Sequence, residues 1–208
     1  KNILVKKETT TDLNFGHDPS NRSIELLIKY GMININKQQG PSSHQIADYV
    51  KKILNIKKCG HGGTLDPNVT GVLPIALENA TRIIQIFLKE KKEYVALMHI
   101  HNDVSHEEIK KVFEEFTGTI KQLPPLRSAV KRQERFRRIY SIEVLEIEGR
   151  DVLFRIECEA GTYVRKYIHD FGLKLNTGAH MQQLVRTKTG PFTDKNWHSL
   201  HDLKDAYE

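Results

Sequence analysis

A lone carboxylate, Asp66, sits in the stretch GHGGTLDPNVTG (residues 60–71), among four glycines, one proline and one histidine, His61. A carboxylate held in such a loop can attack an electrophilic carbon or remove a proton, provided that it is ionised, fixed in place and sheltered from water. Glycine-rich loops also cradle phosphates with their backbone N–H groups. Two such loops are excluded here: the P-loop pattern requires a lysine that this stretch lacks, and the dinucleotide pattern G-x-G-x-x-G is broken at its last glycine. A metal site would draw on Cys59, His61 and Asp66, but no second closely spaced ligand pair accompanies them, so no metal is expected. The bland reading is a structural turn, because Asp before Pro is a frequent turn opener. The residues of the stretch by themselves leave turn and catalytic carboxylate both open.

A second chemical signal lies downstream. Arg127, Lys131, Arg132, Arg135, Arg137 and Arg138 place six cations in twelve residues, with Phe136 and Tyr140 beside them. Guanidinium and ammonium groups neutralise phosphates, and aromatic or guanidinium planes stack on bases, so this run is expected to track an RNA backbone. The competing reading is a solvated strand face. The overall balance, 32 Lys and Arg against 26 Asp and Glu for a net charge of +6, favours a polyanionic partner without naming one.

The elements that must position these groups are legible from periodicity. Ser23 caps a short helix in SIELLIKYG, which Gly31 stops, and the strand MINI follows. In SHQIADYVKKIL, Ile46, Val50, Ile53 and Leu54 form one helical stripe, and the glycine-rich stretch should follow as a long loop. GVLPIAL reads as a buried strand, and NATRIIQIFLK as a helix with Ile83, Ile84, Phe87 and Leu88 on one face. KEYVALMHIH is a strand. Ser105 and Glu108 make a capping box for a helix whose stripe is Ile109, Val112, Phe113 and Phe116. Residues 139–159 form a hairpin turning at 148–151, and TYVRKYIHDFGLKL a helix with Thr162 as cap and Arg165 in its first turn. Strands adjacent in sequence and helices in uneven order predict an α+β fold, with a mixed, largely antiparallel sheet flanked by helices.

The polar residues 1–22 read as an N-terminal tail and residues 23–208 as one catalytic domain. Cys59 and Cys158 support no disulfide framework, no apolar run approaches the roughly 20 residues of a membrane span, and no signal peptide is evident, so a soluble cytoplasmic protein is expected.

GHGGTLDPNVTGVLPIALENATRI resembles the catalytic motif of the TruB-type pseudouridine synthases. KEY, PPLRSAVKR, GTYVRKYIHDFG and AHMQQLVRTKTGPF are similar to that family's later motifs, in order, over residues 23–192. SIELLIKYGMININK and SAVKRQERFRRIY are more similar to its archaeal and eukaryotic branch, which includes the catalytic subunit of box H/ACA ribonucleoproteins. The resemblance implies that Asp66 breaks the uridine C1′–N1 bond and lets the base reattach through C5. Whether it adds to the sugar, adds to the base or acts as a base stays open. It implies further that Arg165 pairs with Asp66, that Tyr94 stacks on the flipped base and moves a sugar proton, and that His61 holds the extruded nucleotide. By the same resemblance Leu184 is expected below the base and Lys37 in a substrate-facing first motif, where Gln38 stands in place of the family's usual proline. The glycines are expected to clear a path for RNA. No metal, nucleotide or redox cofactor is implied. The implied partners are tRNA, guide RNA with target rRNA, and accessory H/ACA proteins. Relatives of this branch continue into an RNA-gripping PUA domain, which is not expected within this chain. A catalytically silent RNA-binding scaffold is the alternative.

Overall fold

The computed structural model describes residues 6–8, 10, 12, 14–15, 21–123 and 133–208. Its strands are β1 (Met32–Lys37), β2 (Cys59–His61), β3 (Thr70–Leu77), β4 (Lys92–Ile100), β5 (Gly118–Gln122), β6 (Arg135–Glu148), β7 (Asp151–Cys158), β8 (Ala179–Thr189) and β9 (Phe192–Thr193). Its helices are α1 (Ile24–Tyr30), α2 (Ser43–Ile53), α3 (Ile84–Lys89), α4 (His106–Glu115), α5 (Val164–Lys174) and α6 (Leu200–Tyr207). The strands form one sheet in the order β1-β3-β8-β4-β7-β6-β5, with β2 also on β3 and β9 on β8. Every pairing is antiparallel except β3 with β8, so the α+β expectation of a mixed, largely antiparallel sheet holds.

Helix ends follow local chemistry. Ser105 and Glu108 form the expected capping box on α4, and Ser42 with Gln45 forms another on α2. The α5 stripe of Val164, Tyr167, Ile168 and Phe171 is buried, with Phe171 stacked 4.5 Å from Phe113 of α4. This aromatic cluster closes one core over β4, β7 and β8, while α2 closes a second against β1 and β3. Strand β3 lies between β1 on one side and β2 and β8 on the other, which explains why seven of its eight residues are buried.

Four local expectations change. The glycine-rich stretch is not all loop: Cys59–His61 is strand β2, paired with Ile75–Leu77. The helix expected over NATRIIQIFLK is a 3₁₀ turn (Glu78–Ile83) followed by the short α3, and its stripe is only half covered: Ile84 and Phe87 are half-buried, with Phe87 against Phe192, while Ile83 and Leu88 are exposed. Thr162 does not cap α5; its hydroxyl donates to Glu159 O, and Tyr163 takes the cap position without a side-chain bond. Strand β6 begins at Arg135 rather than Ile139, drawing three of the basic residues into the sheet. No described helix is long and apolar enough to cross a membrane.

Candidate active site

Asp66 opens a tight turn in which Val69 N–H donates to its carbonyl at 3.0 Å, with Pro67 in the position that its fixed φ favours. The structural-turn reading therefore holds, and the turn is what presents the carboxylate. On either side, Leu65 and Val69 are buried and fasten the loop to the core. The Ser43 hydroxyl bridges Leu65 from α2, accepting from its N–H at 2.8 Å and donating to its carbonyl at 3.1 Å. Gly40 N–H donates to Pro67 O at 3.0 Å.

Lys37 completes this anchorage. Its side chain is fully buried, and its ammonium donates to the carbonyls of Gln38, Pro67 and Val69 at 3.0, 3.1 and 2.8 Å. Burial lowers its pKa, while the nearby Asp66 charge opposes that shift. An ammonium has only three donors and all are engaged, so Lys37 is not the substrate-facing group expected of it; it holds the loop from beneath.

Arg165, in the first turn of α5, donates from Nη2 to Asp66 Oδ2 at 2.9 Å. The two side chains are 55% and 57% exposed, so the carboxylate stands open to solvent rather than sheltered by its own chain. An ion pair this exposed contributes little stability, and its consequence is orientation.

Tyr94 and Leu184 lie on the paired strands β4 and β8, with Leu184 opposite Ala96, and both pack in the core cluster that also holds Leu65, Val69 and Val164, the near neighbours in sequence of Asp66 and Arg165. Burial raises the pKa of the Tyr94 phenol, and Arg186 opposes the rise. Arg186 was not expected in the site. It is 1% exposed, stands opposite Tyr94 in the β4–β8 register, and donates to Val72 O at 2.8 Å and to Gly63 O at 3.1 Å. A nearby buried cation, Lys92, donates to the carbonyls of Phe87, Leu88 and Glu90, and its pKa falls to about 8, chiefly through burial. Both cations were visible in the sequence as charges in phase with core residues: Arg186 is two positions after Leu184, and Lys92 two before Tyr94, on the inward face of alternating strands.

His61 lies at the end of β2, with Nε2 3.4 Å from His44 Nδ1 on α2. Burial, then His44 and Arg186, lower its pKa, so it is neutral at neutral pH. Among the described residues no group of His, Cys, Asp and Glu side chains is placed to hold a metal ion.

Two of the glycines have a reason within the fold itself. Gly71 has φ +109°, and a Cβ there would lie 2.2 Å from Arg186 O, where β3 and β8 run side by side. Gly63 has φ +131° beside the Arg186 guanidinium.

The described part of the basic run is divided between two faces of β6. Arg127, Lys131 and Arg132 lie outside the described residues. Along β6, Phe136 and Arg138 are exposed, while Arg135 and Arg137 alternate onto the half-buried face. Arg137 sits 3.6 Å from Glu159, and Arg138 stacks over Tyr140 at 5.8 Å.

Three family models match the chain: "DKCLD (NUC011) domain" over residues 1–47, "TruB family pseudouridylate synthase (N terminal domain)" over 51–164, and "tRNA pseudouridylate synthase B C-terminal domain" over 165–208. The probable tRNA pseudouridine synthase B of Methanopyrus kandleri is 56% identical over 208 residues, covering 100% of this chain and 62% of that protein. The protein of the same name from Methanothermobacter thermautotrophicus is 54% identical, covering 100% of this chain and 64% of that protein. The chain thus spans less than two thirds of the length of these relatives. Among solved structures, a chain of a Cbf5-Nop10-Gar1 complex superposes with a TM-score of 0.92 at 57% identity, covering 95% of this chain and 60% of that one. A chain of an H/ACA ribonucleoprotein bound to a substrate RNA containing 2′-deoxyuridine gives 0.90 at 53% identity, covering 98% and 62%.

Proposed function

We propose that this chain, which belongs to the TruB family of pseudouridylate synthases, is the catalytic part of an enzyme that isomerises uridine to pseudouridine in RNA. The observation that carries the reading is the 2.9 Å bond between Arg165 and Asp66, made on a turn that Lys37 and Ser43 hold rigid from below. A carboxylate so fixed is ready for a near-attack geometry without reorganising.

In this reading Asp66 acts at the flipped uridine: the C1′–N1 bond breaks, C1′ rejoins the base at C5, the C5 proton leaves and N1 takes one up. Atoms and electrons balance without an oxidant or a cofactor. Arg165 keeps the carboxylate oriented, Tyr94 and Leu184 face the extruded base, and His61 lines the approach from β2. Unstacking a base costs a few kcal/mol, which contact with such walls partly returns. Because Asp66 is open to solvent, the docked RNA itself completes its shelter. Both cysteines are free thiols, which fits a reducing, cytoplasmic setting.

The substrate is structured RNA, either tRNA on its own or a guide-paired target in an H/ACA-type particle with accessory proteins. The names and titles of the relatives support both. The test incubates the purified chain with [5-³H]uridine-labelled tRNA, and separately with guide RNA, target and accessory proteins. Tritium release in either arm supports the reading and identifies the substrate; release in neither, from folded protein that binds RNA, favours the silent scaffold.

A further inference from the structure

Arg186 is a fully buried guanidinium, and among the described residues none of its hydrogen-bond partners is a carboxylate. Burying a charge in this way is expensive, and such groups concentrate where chemistry needs them. Its Nε and Nη2 are engaged by Val72 O and Gly63 O, on β3 and on the loop that carries Asp66. Tyr94 stands directly across the β4–β8 ladder from Arg186, and each of the two groups bears on the other's ionisation. We propose that Arg186 is a positioning residue acting through Tyr94: it fixes the phenol oxygen as a hydrogen-bond acceptor and readies Tyr94 to exchange a proton with the substrate. This rests on the isomerase reading of the site.

The direction of the bond follows from valence. A guanidinium has no acceptor, so it donates and the phenol oxygen accepts. The Tyr94 proton is thereby turned away from Arg186, and the phenolate is stabilised relative to an equally buried tyrosine without that partner. The other titratable groups facing Tyr94 are Cys158 of β7 and Asp66 of the loop; the Asp66 carboxylate opposes the phenolate, as a Cys158 thiolate would. Cys158 is itself pushed up to about 12, mainly by burial, and stays protonated. Among the described residues Arg186 is thus the one facing group that favours Tyr94 ionisation, and it is itself bonded to the loop at Gly63. Since Arg186 is 1% exposed, it does not touch RNA.

The test uses the full chain as R186Q, R186K, Y94F and R186Q/Y94F. Phenolate absorbance of wild type minus Y94F isolates the Tyr94 titration. Removing the cation in R186Q should move its midpoint up by about one pH unit, the size of a typical near-charge effect. R186K, which keeps a cation, should move it less. In single-turnover assays R186Q should be slower by about 100-fold, as for a lost proton-transfer group, with RNA affinity unchanged. R186Q/Y94F should be no slower than Y94F. An unmoved Tyr94 midpoint, or R186Q and Y94F losses that multiply, overturns the proposal. If R186Q does not fold, the R186K midpoint decides: the proposal stands if it moves and falls if it does not. If wild type makes no pseudouridine, the isomerase reading fails, while the absorbance titration still judges the link between Arg186 and Tyr94.

Discussion

The Arg165 guanidinium meets the Asp66 carboxylate at 2.9 Å across 99 positions of sequence, yet both side chains are more than half exposed. An exposed pair of this kind is held for its geometry, because solvent screening leaves it less than about 1 kcal/mol of stabilisation. Asp66→Asn should therefore abolish tritium release while the melting curve and RNA affinity stay near wild type. Turnover in the variant would remove Asp66 from the chemistry.

Lys37 is the opposite case, a cation with no exposure and three carbonyl partners. Lys37→Met leaves those buried acceptors unsatisfied, so urea denaturation should show a loss of about 3 kcal/mol. Turnover of the folded fraction should fall as well, because the Asp66 turn loses its floor. A loss below about 1 kcal/mol would mean that the ammonium does not hold the loop.

Two glycines of the same stretch should behave differently. At Gly71 a methyl group meets Arg186 O at 2.2 Å on a backbone of φ +109°, so Gly71→Ala should cost more than about 3 kcal/mol. At Gly62 the nearest atoms are at ordinary contact, 3.4 Å and beyond, and Gly62→Ala should stay within about 1 kcal/mol of wild type. Equal tolerance in thermal melts would contradict the close approach of β3 to β8.

His61 is held neutral in the folded chain by burial, His44 and Arg186, its pKa lying below the ordinary 6.5. The unfolded chain then binds a proton that the folded chain resists as pH falls through and below 6.5. Stability from this site is present above that range and lost on acidification. The melting temperature should drop between pH 7 and pH 5 less steeply in His61→Gln than in wild type; identical slopes would place the acid sensitivity elsewhere.

On β6 the alternation separates two neighbouring arginines, with Arg138 exposed and Arg137 packed near Glu159. Arg138→Ala should reduce the slope of log affinity for RNA against log salt by about one, as for a lost phosphate contact. Arg137→Ala should leave the slope nearly unchanged and lower stability instead. The reverse order would make the half-buried face the RNA-facing one.

Much of this molecule is determined by residues close together in sequence. The capping box of Ser105 and Glu108, the buried stripe of α5 and the hairpin turning at Gly149 depend on neighbours within a few positions, so periodicity and side-chain type suffice to place them. The motif residues likewise single out Asp66, Tyr94, Arg165, His61 and Leu184. Only the tertiary structure decides what lies beneath them. Lys37 turns under the loop instead of toward the substrate, Gly71 is required by a neighbouring strand, and Arg135 and Arg137 face away from Arg138. The parallel register that sets Gly71 beside Arg186, and the antiparallel one that sets Tyr94 opposite it, join segments about 90 to 115 residues apart. A one-residue slip in either would turn Arg186 to the other face, and no local pattern in the chain states that register.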